Sequence, residues 1–272
     1  MDSIRQHLTK DEMIAEIKMM LSADIVNKYQ FLLVEGQDDI TFFEGKTTNN
    51  VWIYESYSGK DGVYEIVNFF DIDSVIGICD RDYDKKAHKN IYYYDYANLE
   101  MMLLSNNKSF ESFVNANYHG TLKCIKLRET IFDNLKFLSL LRKKSFENHL
   151  NICFRGLSFT ECFKENTFNN SVLIKQISDR NKNLALNYRK LLTEIRNTCD
   201  DNIDINTYFS ITQGHDFLCC FQLYCNQNRI RKKSVNIETL IISLISSYHF
   251  SYFKETNLYN SLAYRKIFKE KI

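Results

Sequence analysis

Short apolar runs alternate with segments of helical periodicity in the first third of the chain. The runs are FLLV (31–34), VWIYES (51–56) and SVIGICD (74–80), and IYYYD (91–95) predicts a fourth strand. Uninterrupted apolar runs of this length are typical of strands that are covered on both faces, as in parallel sheets. Strands that alternate with helices along the chain are joined by crossovers and therefore lie parallel. The sequence predicts an α/β fold with a parallel sheet.

Helical segments precede, separate and follow these strands. Residues 11–27 predict a helix that begins with a capping box formed by Thr9 and Glu12. Further helices are predicted at 38–43, 63–70, 97–105, 107–116, 127–150, 171–198, 215–225, 237–250 and 256–270. We therefore expect a sheet flanked by helices, followed by a mainly helical C-terminal region.

Charge divides the chain at the same place as the change of structural class. Residues 1–104 contain ten Lys or Arg and nineteen Asp or Glu, whereas residues 105–272 contain 25 and 15. Either two oppositely charged surfaces meet at an interface, or the first region holds cations and the second binds a polyanion. We expect a catalytic domain over 1–104 and a basic helical region over 105–272 that contacts nucleic acid or a partner.

Two clusters of basic residues lie in the second region. They are Arg142, Lys143 and Lys144, and Arg229, Arg231, Lys232 and Lys233. A run of charge is by itself most often a solvated face, but beside a phosphodiester-cleaving site such residues are suited to nucleic-acid phosphates. We expect these seven residues to bind nucleic acid, with docking of a partner protein as the alternative.

Other features of the composition limit the class of protein. The eight cysteines are scattered and form no Cys-x-x-Cys pair, which predicts reduced thiols and no zinc site. No apolar run approaches the roughly 20 residues of a membrane span, and the N-terminus does not resemble a signal peptide. We expect a cytoplasmic protein that does not enter a membrane.

Acidic residues follow the predicted strands at the points where they end. Glu35 comes directly after the first strand, Asp80 ends the third, and Asp82 lies two residues further on. The carboxyl ends of parallel strands share one edge of the sheet, where ligands bind. In a chain that is still extended, Asp80 and Asp82 would face the same way. Because converging carboxylates repel one another, the pattern indicates a hard divalent cation such as Mg²⁺.

Two further residues extend this candidate site. Lys60, in the predicted turn after the second strand, could add positive charge to a developing transition state, and Glu100 could be another ligand. Each residue alone has an ordinary explanation, such as a surface loop, a helix start or a tight turn. Their joint placement at successive strand ends favours a site for Mg²⁺ or Mn²⁺.

Two segments carry a resemblance to a known family. VEGQDD (34–39) resembles the Glu-Gly-x-x-Asp motif of the TOPRIM fold, and CDRDYD (79–84) resembles its Asp-x-Asp motif. The resemblance implies a small parallel sheet and Mg²⁺-dependent phosphoryl transfer on nucleic acids. It also implies that Glu35 is the acid nearest the scissile phosphate, that Asp39, Asp80 and Asp82 bind metal, and that Asp38 is incidental.

Three other segments extend the resemblance to the OLD-like group. SGKDGVYEIVN (58–68) is similar to its Gly-Lys segment, which implies a role for Lys60 close to the phosphate. YDYANLEMMLL (94–104) and QGHDFLCCF (213–221) resemble segments of the AriB-type effectors of PARIS anti-phage systems. This likeness implies an ATPase partner of the AAA or ABC type, self-association, and RNA such as tRNA, or DNA, as the target.

We therefore expect a metal-dependent TOPRIM endonuclease that acts as a toxic effector in anti-phage defence. Asp-x-Asp also begins the haloacid dehalogenase phosphatases, but there it follows the first strand, whereas Asp80 ends a later one. The remaining alternative is a non-catalytic docking module of the same fold that binds and regulates a partner ATPase.

Overall fold

The chain forms two compact units. The computed structural model describes residues 8–26, 28–83, 87–164, 167–182, 191–195, 203–228 and 234–270. The first unit comprises Met1–Leu99 with Tyr248–Ile272, and the second comprises Glu100–Ser247. The division after Leu99 lies close to the boundary expected at residue 104. Residues 248–272, expected in the helical region, belong instead to the first unit.

A four-stranded parallel sheet in the order β2-β1-β3-β4 is the centre of the first unit. Its strands are β1 (Gln30–Val34), β2 (Val51–Glu55), β3 (Val75–Cys79) and β4 (Ile91–Tyr93). Val34 pairs with Glu55 of β2 and with Ile78 of β3, so the three strands end level at one edge. The predicted parallel sheet flanked by helices is confirmed.

The helix α1 (Lys10–Ala23) precedes β1, and α2 (Gln37–Phe43) and α3 (Gly59–Phe70) lie between the strands along the chain. The capping box of Thr9 and Glu12 is present at the start of α1, as predicted. The predicted start of α3 at residue 63 is wrong, because the helix begins at Gly59 and takes Lys60 into its first turn. Gly62 allows α3 to approach the end of β2, since a Cβ there would lie 2.2 Å from Ser56 Oγ.

The core of the first unit lies between the sheet and the helices α1 and α3. Its fully buried members include Met13 and Ile17 of α1, Phe31 and Leu33 of β1, and Ile66 of α3. Apolar residues at helical spacing on α1 and α3 thus meet alternate residues of the strands, the arrangement that periods of 3.6 and 2 produce. This core fixes the strand ends on which the acidic residues lie.

The second unit is mainly helical, as predicted. Its helices are α4 (Leu99–Ser105), α5 (Asn107–Asn117), α6 (Cys124–Glu147), α7 (Phe159–Cys162), α8 (Asn170–Arg180), α9 (Ile205–Ile211), α10 (Gly214–Gln227) and α11 (Ile237–Ser247). An antiparallel pair that the sequence did not predict, β5 (Phe163–Lys164) and β6 (Thr167–Phe168), lies between α7 and α8. In the part of the chain that the structure describes, no helix combines the length and the apolar character that crossing a membrane requires.

The C-terminal segment packs into the first unit. It forms α12 (Phe250–Phe253), α13 (Asn257–Leu262) and a 3-10 turn at Ala263–Arg265. Phe253 is fully buried, and its ring meets those of Phe42 and Phe43 edge to face. The prediction of one helix over 256–270 is wrong in its second half, because Phe268 forms an antiparallel bridge with Thr47.

Candidate active site

Glu35 lies immediately after β1 and reaches the end of β3. Its Oε1 accepts a hydrogen bond of 2.8 Å from the backbone N–H of Asp80. Burial raises the pKa of Glu35 to about 7; the Asp80 amide opposes this shift, and the negative charge of Asp39 adds to it. A carboxyl group with a pKa in this range, at a sheet edge where functional residues collect, is typical of an active site.

Asp39 lies in the first turn of α2 and is buried. Its Oδ2 accepts from the N–H of Gly36 at 2.9 Å, and its Oδ1 accepts from the hydroxyl of Tyr94 at 2.6 Å. Burial raises the pKa of Asp39 to about 6, although these two donors act in the opposite direction. The neighbouring Asp38 is exposed. The acidic turn therefore separates one buried acid from one that faces solvent.

Lys60 extends from the first turn of α3 to the end of β3. Its Nζ donates to the carbonyl oxygen of Asp80 at 2.6 Å and to Oδ2 of Asp82 at 3.1 Å. Burial alone would lower the pKa of Lys60, but Asp82 and Glu35 raise it above its ordinary value. Lys60 therefore stays charged, and its hydrogen bonds link the segment that follows β2 to the segment that follows β3.

The Asp-x-Asp segment turns sharply after β3. The expectation of an extended chain through Asp82 is wrong, because Asp82 has a left-handed backbone (φ 49°), a conformation that Asp tolerates better than most residues. Its N–H donates to the carbonyl of Ala97 at 2.7 Å, and Oδ1 of Asp80 accepts from the N–H of Leu99 at 3.3 Å. Asp82 reaches Lys60 through this turn and not through the alternation of a strand.

A cavity of about 280 Å³ lies in the first unit beside the Asp80–Asp82 turn. Its lining includes Arg81, Tyr92 and Tyr93. The guanidinium of Arg81 and the Nζ of Lys60 lie 5.1 and 5.8 Å from the centre of the Tyr93 ring. Sequence reasoning missed Arg81, Tyr93 and Tyr94, and the only available signal was that all three flank predicted strand ends.

Glu100 lies in the second unit, at the start of α4. It packs against the first residue of α10, so closely that a Cβ at Gly214 would lie 2.6 Å from the Cβ of Glu100. The carboxylate thus lies near the positive end of a helix dipole, a favourable position for an acid. Its assignment as a metal ligand stays a prediction.

The predicted basic cluster Arg142, Lys143 and Lys144, in the last part of α6, has acidic neighbours. Arg142 Nε and Nη2 donate to the two carboxylate oxygens of the buried Asp216, at 2.7 and 3.0 Å. Lys143 and Lys144 lie 3.8 and 3.0 Å from the carboxylate of Glu147. Asp216 lies in the first turn of α10, and its side chain forms this ion pair. Positive charge at 142–144 is therefore partly neutralised within the second unit.

The second predicted basic cluster lies outside the described residues. Its members are Arg229, Arg231, Lys232 and Lys233. Asp84, the last acid of the CDRDYD segment, also lies outside them.

The donor chemistry at the sheet edge fits a hard divalent cation, since Mg²⁺ prefers carboxylate and carbonyl oxygens. Glu35 and Asp39 are carboxyl groups whose negative charge burial opposes, and a nearby cation would relieve this cost. Among the described residues, however, no group of three or more His, Cys, Asp or Glu side chains is placed to hold a metal ion. Asp39 is held by Tyr94 and Asp82 by Lys60, so binding a cation requires some of these contacts to change.

Comparison of the sequence with known proteins assigns no function to this chain, so a functional assignment depends on the chemistry of the site. The sequence matches no protein-family model and no curated protein.

Proposed function

We propose that this chain is a metal-dependent nuclease that hydrolyses phosphodiester bonds in RNA, such as tRNA, or in DNA. One observation carries the proposal: residues that follow three different strands meet at one edge of the sheet. Glu35 after β1, Lys60 after β2 and the Asp80–Asp82 turn after β3 are joined by hydrogen bonds of 2.6 to 3.1 Å. Acids and a lysine gathered in this way are suited to phosphoryl transfer.

The acidic residues at this edge would hold Mg²⁺ or Mn²⁺. These are Glu35, Asp39, Asp80 and Asp82; Glu100, which belongs to the second unit, is a further candidate on the sequence alone. When bound, the ion supplies Lewis-acid polarisation of the phosphoryl oxygens.

The residues of the chain have separate roles in this proposal. Glu35, nearest to the scissile phosphate, accepts the proton that the attacking water loses. An ammonium has three N–H donors, and among the described residues Lys60 uses two of them, on Asp80 and Asp82. The third can donate to a phosphate oxygen and offset the charge that develops there.

The TOPRIM resemblance supports a wider role. By its likeness to AriB-type proteins, we propose a toxic effector in anti-phage defence, held by an ATPase partner and able to self-associate. Lys143 and Lys144 are the described residues best suited to substrate phosphates, because their Glu147 partner is shared and half-exposed.

The direct test is cleavage by the purified protein. With Mg²⁺ or Mn²⁺, wild-type protein is offered plasmid DNA, total RNA and tRNA, and we expect cleavage of at least one. Glu35→Gln should abolish it. Asp38→Asn is the matched control, because Asp38 belongs to the same acidic turn but is exposed, and it should keep the activity. Cleavage that survives Glu35→Gln, after repurification, would contradict the mechanism.

A second candidate is a docking module that regulates a partner ATPase without catalysis. The observation in its favour is that Asp39 and Asp82 are already paired with protein donors, and no ready group of three ligands exists among the described residues. This candidate predicts that the wild type cleaves nothing, with or without the ATPase, while the two proteins still co-purify.

A further inference from the structure

A cavity in the second unit has no role in the proposed reaction. It has a volume of about 670 Å³ and lies between α5 and α6. This volume is in the range of small-molecule sites, which are mostly apolar with a few polar groups at fixed positions. The lining combines apolar side chains (Phe110, Val114, Tyr118, Leu122) with charged ones (Lys123, Lys126, Arg128, Glu111, Glu129).

Arg128 is the unusual member of this lining, because it is a buried cation. Only 7% of the surface of Arg128 is exposed. Nη1 donates to the carbonyl of Leu104 at 3.1 Å, and Nη2 donates to Oδ1 of Asn107 at 2.7 Å. Both partners are neutral. Over the described ranges, no carboxylate lies within ion-pairing distance of this guanidinium, and its Nε is buried without a hydrogen-bond partner.

The surroundings of Arg128 do not compensate its charge fully. The rings of Phe110 and Phe209 face the guanidinium, with centroids 5.0 and 5.5 Å away. These contacts and the negative charge of the neighbouring Glu129 are favourable, but burial outweighs that charge and lowers the pKa of Arg128. A structural role, in which Arg128 joins the end of α4 to the start of α5, explains the two hydrogen bonds. It leaves the positive charge itself unexplained, and an anion in the adjacent cavity would compensate it.

The start of α6 brings further positive potential to the same cavity. The helix is 24 residues long, and its N-cap residue, Lys123, makes no side-chain capping hydrogen bond. The N-cap residue therefore supplies no side-chain acceptor for the first backbone N–H groups of α6, and these groups and the positive end of the helix dipole lie where the chain lines the cavity. Lys123 and Lys126 also line it, although Lys126 lies 3.5 Å from Glu129.

We propose that this cavity binds a small organic anion, a phosphate or carboxylate head group attached to an apolar ring or chain. The head group lies towards Arg128 and the start of α6, and the apolar part contacts Phe110, Val114 and Leu122. Oxyanions suit both arginine and helix N-termini. This site is separate from the acidic sheet edge and does not depend on the proposed nuclease activity.

The test is calorimetric titration of the full chain in EDTA, so that divalent cations contribute nothing. Phenyl phosphate and benzoate carry both parts of the ligand, inorganic phosphate lacks the apolar part, and benzyl alcohol lacks the charge. We expect phenyl phosphate or benzoate to bind at least about tenfold more tightly than either incomplete probe, as one charge-assisted hydrogen bond implies. The stronger of the two identifies the head group. Equal affinities for all four, or no saturable binding, would overturn the proposal.

Substitutions in and away from the cavity show whether the ligand binds there. Arg128→Met should weaken the affinity about tenfold or more. If this variant does not fold by circular dichroism, the surface double variant Lys123→Gln with Lys126→Gln should still weaken it severalfold. Lys175→Gln, an exposed charge on α8, and Glu35→Gln should leave it unchanged. Binding that is insensitive to the changes on α6, or lost in Glu35→Gln, would rule out this cavity.

Discussion

The sheet edge of the first unit and the helix α6 of the second both bury charge, but they compensate it differently. At the sheet edge, Glu35 and Asp39 accept hydrogen bonds from backbone and tyrosine donors, and Lys60 adds one positive charge. On α6, Arg142 has a full carboxylate partner, whereas Arg128 has only neutral ones. Full pairing is what a structural charge requires. Pairing is incomplete at the other two places, and these are the places where we propose ligands.

The largest effect on stability should come from breaking the ion pair between Arg142 and Asp216. Arg142→Met leaves the buried Asp216 without its partner, and we expect a loss of about 3–5 kcal/mol in the free energy of unfolding. Arg128→Met should cost less, about 1–3 kcal/mol, because it removes hydrogen bonds to neutral groups only. Urea unfolding of both variants measures the difference. An equal loss, or a greater one for Arg128→Met, would mean that Arg128 is the structural charge.

The next effect concerns the lysine at the sheet edge. Lys60→Met removes the positive charge that the proposed mechanism places beside the scissile phosphate, and it should reduce cleavage by roughly 10²–10³-fold. Single-turnover cleavage of the best substrate measures the rate, and thermal unfolding checks the fold. Lys89→Met is a suitable control, since that lysine pairs with Asp71 on an exposed surface. A cleavage rate within threefold of the wild type would mean that Lys60 serves only as the ion-pair partner of Asp82 and has no role in cleavage.

The smallest of the three expected effects concerns the hydrogen bond that Tyr94 donates to Asp39. Tyr94→Phe removes a buried hydroxyl and leaves Oδ1 of Asp39 with one donor fewer, so we expect a loss of about 1–3 kcal/mol in unfolding free energy. The pKa of Asp39 should rise further, because this hydrogen bond lowers it. Denaturant unfolding gives the first quantity and NMR titration of the carboxyl the second. Tyr259→Phe, in the same unit, is the control, and equal losses would assign Tyr94 a packing role only.

Local sequence patterns were sufficient to predict some elements of the fold. The apolar runs correspond to β1, β2, β3 and β4, since a strand covered on both faces must be apolar over its length. The capping box at Thr9 was also found, because its partners lie three residues apart. The start of α3 was missed because Gly59 and Gly62 look like turn residues. Gly62 is needed inside the helix, where it approaches Ser56 closely.

Other features depend on partners that are distant in the chain. The C-terminal segment joins the first unit because Phe253 packs against Phe42 and Phe43, more than 200 residues earlier. In the same way, the ion pair of Asp216 is formed with Arg142, 74 residues earlier in the chain. No local pattern contains either pairing.

The sequence by itself determined which acids lie at strand ends, because strand ends can be read from apolar runs and the carboxyl edge follows from parallel topology. It also separated Glu35 and Asp39 from Asp38, although only through a resemblance. Only the tertiary structure decided how each charge is compensated. Asp39 accepts from Tyr94 and Asp82 pairs with Lys60, whereas Arg128 has no carboxylate within ion-pairing distance among the described residues. The reason is physical, since burial and pairing depend on contacts in space between residues that the chain order keeps apart.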